Sequence, residues 1–138
     1  MLSRINKDIR ILVVDDYPEL RRMMLRMLHR AGFSQVAVAE DGHACMEYVE
    51  RYCVDVILLD ISMPGVSGME VCKWLRRVGK NTSAQIIACT AHAHEVHRPM
   101  FLEAGFDDLL VKPFGADELF EAVTRADHVP SRRSRHNL

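Results

Sequence analysis

Five short apolar runs, at residues 11–14, 36–39, 56–59, 86–89 and 109–111, alternate with stretches whose apolar residues recur at helical spacing. Runs this short and this rich in Ile, Val and Leu suit strands buried on both faces, which is the condition of strands in a parallel sheet. Neighbouring parallel strands must be joined by a crossover of about a dozen residues or more, usually a helix. The alternation therefore predicts an α/β fold: a doubly wound, five-stranded parallel sheet with five helices.

The helical stretches carry their own punctuation. Leu20, Met24, Met27, Leu28 and Ala31 recur on one face, Pro18 suits a first turn where its missing N–H costs nothing, and Gly32 supplies a stop. A second helix is expected from Gly42 to about Tyr52 with Asp41 as its cap, and a third from Gly68 to about Val78. Pro99 cannot lie deep in a helix, so the fourth is expected to be short and to start close to it. The last follows Gly115 and turns Leu119, Phe120 and Val123 inward.

In doubly wound sheets ligands gather beyond the carboxyl ends of the strands. The residues at those exits are Asp15 and Asp16, Asp60, Thr90, and Lys112. Three carboxylates in one hollow repel one another unless a hard cation joins them, and Mg2+ takes a few carboxylate oxygens with water and phosphate in the remaining positions. Asp60, in LLDISMPGVSG ahead of a Pro64-Gly65 turn, is placed to act as a nucleophile toward phosphorus. Lys112 would offset charge on the transferring group, and Thr90 would donate a hydrogen bond to it. Lys112 is expected to have that group, rather than the core, as its partner. Each residue also has a plainer reading: a helix cap for Asp60, a loop lining for Thr90, bare surface for Lys112.

Composition excludes several other classes. Eighteen basic against nineteen acidic residues leave a formal net charge of -1, whereas a nucleic-acid binder carries a clear basic excess. No apolar run approaches a membrane span and the N-terminus has no signal-peptide core, so a cytoplasmic protein is expected. There is no G-x-x-x-x-G-K-[ST] loop and no G-x-G-x-x-G after the first run, which argues against a nucleotide-binding enzyme. Cys45, Cys53, Cys72 and Cys89 include no C-x-x-C pair and are expected to be reduced, mostly buried thiols. His92, His94 and His97 have a spacing open to a transition metal, but a solvated loop is the expected state.

The pieces ILVVDDYP, VILLDISMPGVSG, IIACTA and GFDDLLVKPF occur in an order and at separations that resemble the receiver domain of bacterial two-component response regulators, over residues 9–126. The resemblance implies a flavodoxin-like, receiver-type fold. It makes Asp60 the phosphoacceptor, Asp15 and Asp16 the metal-binding acids, and Ser62 the residue whose backbone carbonyl completes a Mg2+ site. Thr90 matches the hydroxyl that moves toward the phosphoryl group, with Ala91 leaving room beside it, and Lys112 matches the phosphate-contacting lysine. The implied donor is a phosphohistidine on a histidine kinase or a histidine phosphotransfer domain. The receiver assists its own phosphorylation and dephosphorylation without being an enzyme on external substrates. Its output is a change at the face formed by the fourth helix, fifth strand and fifth helix, read by a downstream protein.

One position departs from the family's pattern. Leu109 stands where most members have Tyr or Phe, so a different output rearrangement is open. An alternative is a receiver-fold interaction module that works without phosphorylation. The TAHA wording is similar to receivers of hybrid sensor kinases; the basic first helix, with Arg21, Arg22, Arg26 and Arg30, reads first as a solvated basic face, and the resemblance makes it the surface that docks an acidic patch on the kinase or phosphotransfer partner. A phosphatase is disfavoured because Ser62 replaces the acid such enzymes carry two residues after the nucleophile. The receiver is expected to span residues 1–128, with a basic, disordered tail at 129–138, no DNA-binding domain and no membrane contact.

Overall fold

A computed structural model describes residues 6–63, 65–78 and 83–128. The elements run β1 (Arg10–Val14), α1 (Pro18–Arg30), β2 (Gln35–Ala39), α2 (Gly42–Arg51), β3 (Val56–Asp60), α3 (Gly68–Arg77), β4 (Gln85–Thr90), a 3-10 turn (Ala93–Glu95), α4 (Arg98–Ala104), β5 (Asp108–Val111) and α5 (Ala116–His128). The five strands form one sheet in the order β2-β1-β3-β4-β5, every pair parallel. Pro64 and the tail at 129–138 lie outside the described residues. Among those described, no helix is long and apolar enough to cross a membrane.

Alternation along the strands builds two cores. Leu12, Val14, Ile57, Leu59, Ile86 and Ala88 face α2, α3 and α4, where they meet Cys45, Val49, Val71, Cys72, Leu75 and Phe101. Ile11, Val13, Val56, Leu58, Ile87 and Cys89 face α1 and α5, where they meet Met24, Leu28, Leu119, Ala122 and Val123. β3 and β4 are buried along their whole length. Each fully buried Leu or Ile contributes roughly 1.5–3 kcal/mol, and the polar residues of β3 and β4, Asp60, Gln85 and Thr90, stand only at strand ends.

The helix ends follow the sequence signals. Asp41 accepts a hydrogen bond from the Ala44 N–H at 2.8 Å and starts α2. Ser67 and Glu70 form a reciprocal cap on α3, with Ser67 Oγ accepting from the Glu70 N–H at 3.3 Å. Gly32 and Gly105 end their helices at φ 103° and 104°, a left-handed turn that a side chain resists. The fourth helix is short, as Pro99 requires, and the His97 ring caps it by accepting from the Met100 N–H at 3.4 Å. Asp60 and Thr90, expected just beyond their strands, are the last residues of β3 and β4.

The sheet order reverses between β1 and β3, since the chain leaves β1 outward to β2 and then returns past it. At such a switch point the loops at the carboxyl edge part in opposite directions and leave a crevice.

Candidate functional site

The crevice holds the residues that the strand exits predicted. Asp15 follows β1, Asp60 ends β3, Thr90 ends β4, and Lys112 follows β5. Asp15, Asp16 and Asp60 each present a carboxylate oxygen, and these oxygens all lie within 4.8 Å of one another. Asp15 and Asp60 are buried, at 2% and 3% exposure, while Asp16 is open to solvent. Acids so nearly enclosed must be compensated, and the compensating groups are visible.

Asp15 Oδ1 accepts from the Tyr17 N–H at 2.9 Å, and Asp60 Oδ1 accepts from the Ser62 N–H at 2.9 Å. Lys112 Nζ donates to Asp15 Oδ2 at 2.9 Å and lies 3.6 Å from Asp60 Oδ2. The lysine is positioned from below by its own N–H, which donates to the Thr90 carbonyl at 2.8 Å. Lys112 is thus partnered by the acids of the site and not by the core. Thr90, which is buried, has its Oγ1 accepting from the His92 N–H at 3.0 Å.

Burial pushes the Asp60 carboxyl above its ordinary value of 3.8; the Ser62 N–H and Lys112 pull it back, and Asp15 and Asp16 push it up again. Burial alone would lower Lys112, but the Asp15 hydrogen bond and the charges of Asp60 and Asp15 outweigh it and hold the ammonium above 10.5. Lys112 therefore stays charged throughout the neutral range. Cys89, paired in register with Asp60, is pushed up to about 12 by burial and remains a thiol. Cys45, Cys72 and Cys89 are buried, Cys53 is exposed, and among the described residues none of the four forms a disulfide.

The other sequence candidates separate from this cluster. His92 Nδ1 and His94 Nε2 approach Glu95 Oε2 at 3.5 and 3.6 Å on an exposed turn, and His97 serves as a helix cap. Arg22, Arg26 and Arg30 are exposed along α1, but Arg21 is not free, since its Nη1 donates to the Asp15 carbonyl at 2.8 Å. Leu109 is half-buried and packs against the core under α3 and α4. The links from Arg21 and Tyr17 to Asp15 had no marker in the sequence; the compact D-D-Y-P turn was the nearest signal.

Comparison with known proteins agrees with the geometry. The family model for the response regulator receiver domain matches residues 11–124. The chemotaxis protein CheY of Bacillus subtilis is 34% identical over 116 residues, covering 84% of this chain and 95% of that protein. The sensory transduction protein RegX3 of Mycobacterium tuberculosis is 35% identical over 113 residues, 82% of this chain but 48% of RegX3, so the chain spans about half the length of that relative. The receiver domain of the sensor histidine kinase PA1611 from Pseudomonas aeruginosa, a structure with a magnesium ion coordinated in its active site cleft, matches with a TM-score of 0.80 at 31% identity, over 88% of this chain and 99% of that one. With the sheet order, the acid crevice and these matches in agreement, the chain belongs to the response regulator receiver domains of two-component signalling.

Proposed function

We propose that Asp60 accepts a phosphoryl group from a phosphohistidine and that the acceptor works with Mg2+. The observation that carries this reading is the convergence of three carboxylates and one ammonium at a sheet switch point, with the buried carboxylate of Asp60 among them. A set of hard oxygen donors with too few cations around it fits a hard divalent ion. Asp15, Asp16 and Asp60 would hold that ion, with the Ser62 backbone carbonyl. When bound, Mg2+ offsets the charge of the incoming phosphoryl oxygens.

The residues of the chain supply the rest. A carboxylate oxygen of Asp60 forms the new O–P bond while the N–P bond of the phosphohistidine breaks, and the departing imidazole takes up a proton. The Ser62 N–H, bound to Oδ1, orients the carboxylate and leaves Oδ2 beside Lys112. Lys112 supports the charge that develops on the transferring group, as a preorganised donor does. Thr90, whose oxygen accepts from the His92 N–H, turns its hydroxyl proton toward the phosphoryl group. The resulting shift biases a conformational equilibrium at the face of α4, β5 and α5, which a downstream protein reads. The donor is a histidine kinase or histidine phosphotransfer domain, met by the exposed arginines of α1. The same groups assist loss of the phosphoryl group to water.

Leu109 favours the second reading, an interaction module indifferent to phosphorylation, because a half-buried aliphatic side chain replaces the ring that usually responds to the threonine. A titration with beryllium fluoride, a phosphoryl mimic, followed by amide NMR, separates the two. The proposed function requires Mg2+-dependent shifts at Thr90, Ala91 and Lys112 that extend to α4. Spectra that do not change with Mg2+ and beryllium fluoride together would favour the module.

A further inference from the structure

Gly68 opens α3 and is buried, yet its backbone is not in the positive-φ region that calls for glycine. What the position lacks is space. A β-carbon built there falls 2.5 Å from the Asp60 carbonyl oxygen, 2.5 Å from the Ile61 α-carbon and 3.0 Å from Ile61 Cγ2. The two closest atoms are backbone, so no side-chain rotation relieves the clash. The first turn of α3 thus rests on the Asp60–Ile61 peptide and on the Ile61 side chain beside it.

Both sides of that contact are anchored. Ile61 N–H donates to the Cys89 carbonyl at 3.2 Å, which ties the peptide to β4. On the helix side, Ser67 Oγ accepts from the Glu70 N–H, and the Val71 N–H donates to the Ser67 carbonyl at 3.0 Å. The loop that leaves β3 and carries Ser62 is closed between these anchors. Asp15 and Asp16 stand on a separate segment, after β1. Any residue larger than glycine at position 68 must lift α3 or displace the end of β3, and either changes where the Asp60 carboxylate sits relative to the other two acids.

We infer that Gly68 is a positioning residue for the acid site: its bare α-carbon seats α3 against Asp60–Ile61 and so fixes Asp60 and Ser62 relative to Asp15 and Asp16. This rests on the assignment of those residues to a Mg2+ site. Its test is Mg2+ titration by amide NMR of the full chain and three variants. Gly68→Ala crowds the seat, and Ile61→Ala loosens it by deletion. Gly105→Ala imposes comparable strain elsewhere, since Gly105 has φ +104° and a β-carbon there would meet Arg76 Cγ at 2.6 Å. Gly68→Ala and Ile61→Ala should each weaken Mg2+ binding at least fivefold, while Gly105→Ala, though less stable, should keep wild-type affinity. Folded Gly68→Ala with affinity within twofold of wild type would overturn the inference; if that variant does not fold, the same result for Ile61→Ala would do so. Absence of Mg2+ binding in the wild type would instead strike the proposed function.

Discussion

Lys112 Nζ donates to Asp15 Oδ2 at 2.9 Å and faces Asp60 Oδ2 at 3.6 Å, so one ammonium links the carboxyl ends of β1, β3 and β5. The lysine is largely enclosed, with a side-chain exposure of 20%. Lys112→Ala would leave buried carboxylates facing each other, at a cost of about 1–3 kcal/mol in the absence of Mg2+. Phosphoryl labelling should fall roughly 10²-fold as a charge-stabilising donor is lost. Chemical denaturation and a labelling time course check the two effects, and labelling at the wild-type rate would remove Lys112 from the chemistry.

Asp60 yields a prediction with a definite sign. Its carboxyl is raised in the folded protein, chiefly by burial, so between 3.8 and the folded value the native state binds the proton and the unfolded chain does not. Stability from this group is present at low pH and is lost as pH rises through the folded value. Asp60→Asn lacks that loss. Its stability advantage over the wild type should be small in acid and grow toward neutrality, measured by denaturant midpoints across pH without divalent ions. An advantage that does not grow with pH would contradict the assignment.

Mg2+ should reverse that relation. A ligand that binds only the folded state stabilises it by about 1.4 kcal/mol at ten times its dissociation constant. The wild type should therefore gain thermal stability with added Mg2+, whereas Asp15→Asn and Asp60→Asn should gain little. Calcium and sodium controls at equal ionic strength separate the site from general screening.

Much of the fold was legible because β1, β3 and β4 are enclosed on both faces and so carry only apolar residues between their end positions. β2 shows the limit of that signal. Its run reads like the others, yet it is an edge strand with Val38 exposed. The site residues were legible for a related reason: a charged residue directly after a buried strand has few positions open to it. Lys112 with Asp15, Arg21 with the Asp15 carbonyl, and Gly68 against Asp60 were not legible, because each depends on how separate segments meet and leaves no local pattern.

Arg76 is another contact hidden from sequence, and it is structural. Its guanidinium donates to the Gly105 carbonyl at 2.6 and 2.8 Å, the Ala84 carbonyl at 2.6 Å and Asp107 Oδ2 at 2.6 Å. With side-chain exposures of 12% and 13%, the Arg76–Asp107 pair is enclosed. Arg76→Met removes the guanidinium from a half-buried carboxylate that still accepts from the Ile86 N–H at 2.8 Å, so it should cost about 1–3 kcal/mol, and Mg2+ affinity of the folded fraction should not change. A loss of affinity would join this network to the acid site.

Intact-protein mass after incubation with acetyl phosphate decides whether Asp60 is a Mg2+-dependent phosphoacceptor. The wild type should gain one phosphoryl group with Mg2+ and none when the ion is chelated, and Asp60→Asn should gain none in either condition. Equal labelling of Asp60→Asn would contradict the claim by moving the acceptor to another residue.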